Sequence, residues 1–242
     1  MSVARGGFAA AAPGNGKLYA VGGANSISYL ASCEEYDPST DTWTTKAPMA
    51  AARASLAAAA PGNGKLYVVG GTTTITVATC EEYDPSTNTW TTKTPMNTAR
   101  TALAAAAPGN GKLYAFGGNN GSYLASCEEY NPGTDTWTTK NPMSGARWLL
   151  TAAAPGNGKL YAIGGETVNG GPGLTLCEEF DPAANAWTTK ASMLTARYTL
   201  AAAAPGNGKL YAFGGYTIPG YITISTCEEY TPPTITFYFA KN

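Results

Sequence analysis

The stretch Leu56-Ala57-Ala58-Ala59-Ala60-Pro61-Gly62-Asn63-Gly64-Lys65-Leu66-Tyr67-Val68-Val69-Gly70-Gly71 decides the fold. A short run of small apolar residues meets Pro-Gly-Asn-Gly, whose Asn-Gly step supplies the positive φ of a tight hairpin. Lys65–Val69 follows, with the aromatic and β-branched residues of a strand, and Gly70-Gly71 ends it. Ala is abundant, but the Ala runs are four or five residues long and Pro-Gly follows each. They fall far below the length at which a helix nucleates.

Working outward, a Thr-rich polar loop leads to Cys80-Glu81-Glu82-Tyr83, a third strand. Asp84–Asn88 is a second turn and Thr89–Lys93 a fourth strand. Pro95 then blocks further ladder pairing, which suits an outer edge. The whole unit recurs. Segments starting at Met1, Met49, Met96, Met143 and Met193 are 48, 47, 47, 50 and 50 residues long and account for all 242. Blades of about 1–48, 49–95, 96–142, 143–192 and 193–242 are therefore expected. A period in this range means a repeat architecture. Four short antiparallel strands per unit, five times over, predict an all-β, five-bladed propeller forming one domain.

Composition closes off several functions. There is no histidine, which excludes His-dependent triads and His-ligated metal sites. Charged residues make up 13%, against roughly 25% in an average domain, and the net charge is −1. No nucleic-acid partner is expected from such a surface. No apolar run approaches the roughly 20 residues of a membrane span, and no signal peptide is visible. The compartment stays open.

The recurring set Met-x-x-x-Arg, Leu-Tyr-x-x-Gly-Gly, Glu-x-Tyr-Asp-Pro and a Trp ten residues after the Cys resembles the kelch repeat. The Gly pairs fall at 22-23, 70-71, 117-118, 164-165 and 214-215, and the Trp at Trp43, Trp90, Trp137 and Trp187. Phe237 takes the fifth place, in a last strand (234–240) that has lost the Trp-Thr-Thr-Lys motif. The resemblance implies that the Ala-rich strand of each unit is innermost, where small side chains suit a narrow axis. Each blade is contiguous in this frame, so both termini should meet at one blade interface. Closure would then rest on blade-to-blade packing, with an open ring or a second chain as alternatives.

Several repeated elements suggest chemistry, and each reads better as architecture. Pro-Gly-Asn-Gly-Lys lacks the Ser/Thr and the helix of a phosphate loop. Cys33, Cys80, Cys127, Cys177 and Cys227 sit one per blade, too scattered for disulfides or a metal cluster, and read as small buried hydrophobes. Asp37-Pro-Ser-Thr-Asp41 and its copies are turns rather than calcium loops. No cofactor and no metal is expected. Among the acids only Glu166 leaves the repeated positions, and among the bases only Lys241. Glu34, Glu81, Glu128, Glu178 and Glu228 are expected to pair, in that order, with Arg53, Arg100, Arg147, Arg197 and Arg5 of the neighbouring blade. The alternative is an Arg ring that binds anions at the channel mouth.

The blades differ chiefly in the loops after Gly-Gly, at 24–31, 72–78, 119–125, 166–175 and 216–225. In a four-stranded blade these loops and the blade connectors share one face, where function is best sought. Blades four and five carry extra aromatics, Trp148, Tyr198, Tyr216 and Tyr221, beside Glu166 and Asn169. With the Arg residues these are the candidate site. Kelch resemblance implies a non-enzymatic binding scaffold for protein or peptide. A glycan, which aromatics would stack on, is an alternative partner, as is self-association of a structural repeat protein. Some kelch-like propellers are enzymes, but no lone pair of carboxylates appears here.

Overall fold

The computed structural model describes residues 1–217 and 222–232, and every element in it is a strand or a turn. Blade two shows the pattern. Its strands Ala57–Ala59, Leu66–Val69, Cys80–Asp84 and Thr89–Lys93 form one antiparallel sheet in chain order. Blades one, three and four repeat it. Blade five has three such strands among the described residues, Ala201–Ala203, Leu210–Phe213 and Cys227–Tyr230, plus a two-stranded ribbon in its loop. The predicted last strand of blade five lies outside the described residues. No described helix is long and apolar enough to cross a membrane.

Register follows from the turns. In blade two Ala59 faces Tyr67 and Ala57 faces Val69, closed by the Pro-Gly-Asn-Gly turn with Gly62 and Gly64 at φ 94° and 77°. The Asn63 side chain secures the turn twice. Its Oδ1 accepts the Lys65 N–H at 3.2 Å, and its Nδ2 donates to the Tyr67 hydroxyl at 2.8 Å. The inner strands are shorter than the Ala runs, three residues each. Pro61 lacks the N–H that would extend the ladder, and Ser55 at φ 52° turns the chain just before it.

The core lies between blades rather than within them. Each of four apolar clusters joins the residues of one blade to those of the next. One brings Tyr19, Val21 and Cys33 against Leu56, Leu66 and Tyr83. The aromatic rings meet tilted, Tyr19 on Tyr83 and Tyr67 on Tyr130, both with centroids 5.5 Å apart. Tyr114 on Phe180 and Tyr161 on Tyr230 continue the series. Such pairs add about 0.5–1.5 kcal/mol to the area that they bury. Four of the five cysteines are buried in these layers, and all five are free thiols. Burial pushes the Cys33, Cys80 and Cys127 thiols up to about 12, so they are inert apolar packing. The inner strands of all five blades line a central cavity of about 330 Å³ walled mainly by alanine.

Candidate functional site

Arg53, Arg100, Arg147 and Arg197 are fully buried and anchor the frame of the site. Each pairs with the Glu of its own blade. Arg53 reaches Glu81 at 2.7 Å, Arg100 reaches Glu128 at 2.6 Å and Arg147 reaches Glu178 at 2.8 Å. Arg5 pairs with Glu34 at 2.7 Å and Arg197 with Glu228 at 2.5 Å. The repeated Arg and Glu positions do pair, but each Glu takes the Arg of its own blade and not, as expected, that of the next: Glu34 meets Arg5 rather than Arg53. The cause is the chain path: the Arg enters on the connector, and its side chain then runs inward over its own sheet. Its main chain makes the link between blades instead. The Arg53 N–H donates to Leu30 O and Arg53 O accepts from Gly23 N–H, both in blade one. A ligand could reach these guanidinium groups only by breaking a buried ion pair, so they hold the site rather than line it.

Burial raises the Glu34 carboxyl, but hydrogen bonds from Ser2 and Arg5 outweigh it and leave it below its ordinary value. Glu228 behaves alike, with Leu194 and Thr195 N–H and Arg197 as donors. The second Glu of each pair serves a separate network. Glu82 accepts from Tyr67 at 2.5 Å and Lys65 at 2.7 Å, and Glu129 from Tyr114 at 2.6 Å and Lys112 at 2.8 Å.

Just after each Arg the chain rounds the mouth of the channel. Gly7, Ser55, Ala102, Leu149 and Thr199 all have φ between 50° and 59°. That region costs a non-glycine residue roughly 1–2 kcal/mol. A head-to-tail chain of main-chain bonds holds it. Ser55 N–H donates to Gly7 O, Ala102 N–H to Ser55 O, Leu149 N–H to Ala102 O and Thr199 N–H to Leu149 O. The loops are fastened directly outside, through the bridges Ala54–Thr72, Thr101–Asn119, Trp148–Glu166 and Tyr198–Tyr216. The variable loops and the connectors thus share one face, as their order in the chain predicts.

Among the predicted residues, Trp148 is half-buried against Tyr123, with ring centroids 5.7 Å apart. Tyr198 is buried under Tyr216, which is 37% exposed. The exposed Asn169 donates its main-chain N–H to the Tyr123 hydroxyl at 2.7 Å. Glu166 is buried. That burial raises its carboxyl above the usual range, and hydrogen bonds from Trp148 and the Gly170 main chain only partly offset it. Tyr221 lies outside the described residues. The structure therefore gathers Tyr123, Trp148, Glu166 and Asn169 into one packed cluster, and sets Tyr198 with Tyr216 beside it.

Sequence reasoning passed over the outermost side chains. Ile27 is 90% exposed, Ile75 69% and Val168 59%, with Tyr29 and Ile222 also in the open. All sit in the loops after Gly-Gly. The available signal was a large apolar residue at the tip of an otherwise polar loop. Together they give the loop face an uncharged apolar rim of loop tips, to which blade three contributes none. Among the described residues no group of three His, Cys, Asp or Glu gathers to hold a metal.

The Kelch motif matches residues 5–50, 53–97, 100–144 and 147–194, about three-quarters of the chain. No curated protein matches it in sequence. The chain is similar to the solved structure of YjhT, with a TM-score of 0.81 and 18% identity over 94% of this chain and 82% of that one. That likeness is one of fold. On its repeats, this chain belongs to the kelch-repeat family.

Proposed function

We propose that the chain is a non-enzymatic interaction scaffold that binds protein or peptide on its loop face. The kelch propeller supports binding in general terms. The observation that carries the finer reading is the apolar rim of Ile27, Tyr29, Ile75, Val168, Tyr216 and Ile222. Exposed apolar side chains that gather on one face of a fixed frame favour an interaction site over a solvated surface. The rim bears no charge to favour an anionic ligand, and the nearby Arg residues are already paired.

A peptide and glycan array tests the reading. The native chain should retain apolar peptides. The variant Ile27→Asp with Ile75→Asp should lose them at an unchanged melting temperature, since both side chains stand in solvent. Retention of glycans alone, or peptide binding that survives the double substitution, would refute the proposal.

A further inference from the structure

Every blade interface uses one set of contacts, and the set is made four times. At the first interface Gly23 N–H donates to Arg53 O, Arg53 N–H to Leu30 O and Met49 N–H to Ala31 O. A Cβ built on Gly22 would meet Arg53 O at 2.8 Å and the Leu56 side chain at 3.0 Å. The same approach recurs at Gly70, Gly117 and Gly164, each against the Arg and Leu of the following blade. Between blades five and one it does not recur. Gly215 N–H, Arg5 N–H and Arg5 O make no such bonds, and Thr199 O receives none from Gly7. Near Gly214 the closest atom is Ile224 O at 3.5 Å, with neither Arg5 nor Phe8 within 4 Å.

Among the described residues both faces of this seam carry exposed side chains. On blade one, Leu18 is 46% exposed and Trp43 38%, whereas the equivalent Leu66, Leu113 and Leu160 are at 0%. On blade five, Phe213 is 37% exposed and Cys227 is exposed, while their counterparts in the other blades are buried. Strand alternation explains the pattern. In blade five Ala201, Ala203, Phe213 and Cys227 point away from blade four, and Ala212 and Leu210 point toward it and are buried. These are the two unlike faces of one repeated interface, each without its partner among the described residues.

From these contacts we infer that the seam between blades five and one is a docking site for one further kelch-type blade. Its Arg carbonyl and Leu would fill the contact at Gly214 and accept from Gly215 N–H. Its Gly pair would receive Phe8 and the Arg5 carbonyl. One unit is also the difference in length from a similar fold. The YjhT fold exceeds the matched part by 18% of its length, about 50 residues, and a blade here has 47 to 50. A second copy of the five-blade chain does not fit by the same interface. Its first blade would occupy the seam, and its second would fall on blade one.

Thiol labelling and an added blade test the inference. In the native chain a maleimide should label Cys227 alone, because the other four thiols are buried. Repeating residues 96–142 after Pro142 gives a six-blade chain. In it Cys227 should become protected and the melting temperature should rise by several degrees. A synthetic peptide of residues 96–142, added to the native chain, serves if the duplication does not fold; it should slow Cys227 labelling at least tenfold. An unreactive Cys227 in native monomer would mean that the ring closes on itself, which overturns the inference. Protection that grows with concentration, alongside dimers in sedimentation, would assign the seam to a second copy. Cys227 still labelled both in a folded six-blade chain and with the peptide would leave the seam without a blade and overturn it as well.

Discussion

Arg100 joins two blades at once: its guanidinium bonds Glu128 of blade three at 2.6 Å, and its carbonyl accepts Gly71 N–H of blade two at 2.9 Å. The same side chain also donates to Gly117 O at 2.9 Å and Ser126 O at 3.0 Å. Arg100→Ala should therefore leave the buried Glu128 carboxylate without its cation, with only the Asn97 and Thr98 N–H groups as donors, and remove the side-chain donor to Gly117 O. A loss of about 3–5 kcal/mol is expected in urea denaturation. Arg100→Lys should recover only part of it, because an ammonium cannot reproduce the planar fork of donors.

Gly70→Ala should destabilise far more than Gly62→Ala, although both glycines have positive φ. At Gly70 the new Cβ would collide with Arg100 O and sit 3.0 Å from Leu103, whereas at Gly62 nothing lies within 4 Å. Gly62→Ala should cost about 1 kcal/mol, from backbone conformation alone. Gly70→Ala adds the separation of two blades. Thermal melts of both variants measure the difference.

Stability should fall in acid. In Glu82 burial favours the protonated form, but Lys65 and Tyr67 outweigh it, and the carboxyl lies below its ordinary value of 4.5. Glu129 is held down likewise by Lys112 and Tyr114. A depressed folded-state pKa contributes stability that is complete above the unfolded value. It is lost as pH falls through the folded one. Denaturation midpoints should thus be flat near neutrality and decline below about pH 4.5, with Glu129→Gln reducing the slope.

Glu166 should act with the opposite sign. Its folded-state pKa is raised by burial, so it favours folding in acid and loses that contribution as pH rises from about 4.5 through the folded value. Glu166→Gln should stabilise the chain at pH 7 and not at pH 4, read as the difference in denaturation midpoint from the native chain at each pH. An equal effect at both values would show that the carboxyl does not titrate in the folded chain.

Much of the fold is legible in the chain because its signals are local. Pro-Gly-Asn-Gly closes a hairpin wherever it occurs, and its fivefold return fixes the strand count per unit and the number of units. The side of the disc that carries Trp148, Tyr216 and the other variable loops also follows from strand order alone.

Tertiary structure decided what depends on the path of a connector or the position of a neighbour. Arg53 and Glu81 are visible as a pair of types, but whether they meet within or across blades depends on which way the Arg side chain runs. Leu18 and Leu66 occupy the same place in the repeat and look identical in sequence, yet one is in solvent and the other is buried. The difference lies wholly in whether another blade stands beside them, which no residue within the repeat encodes.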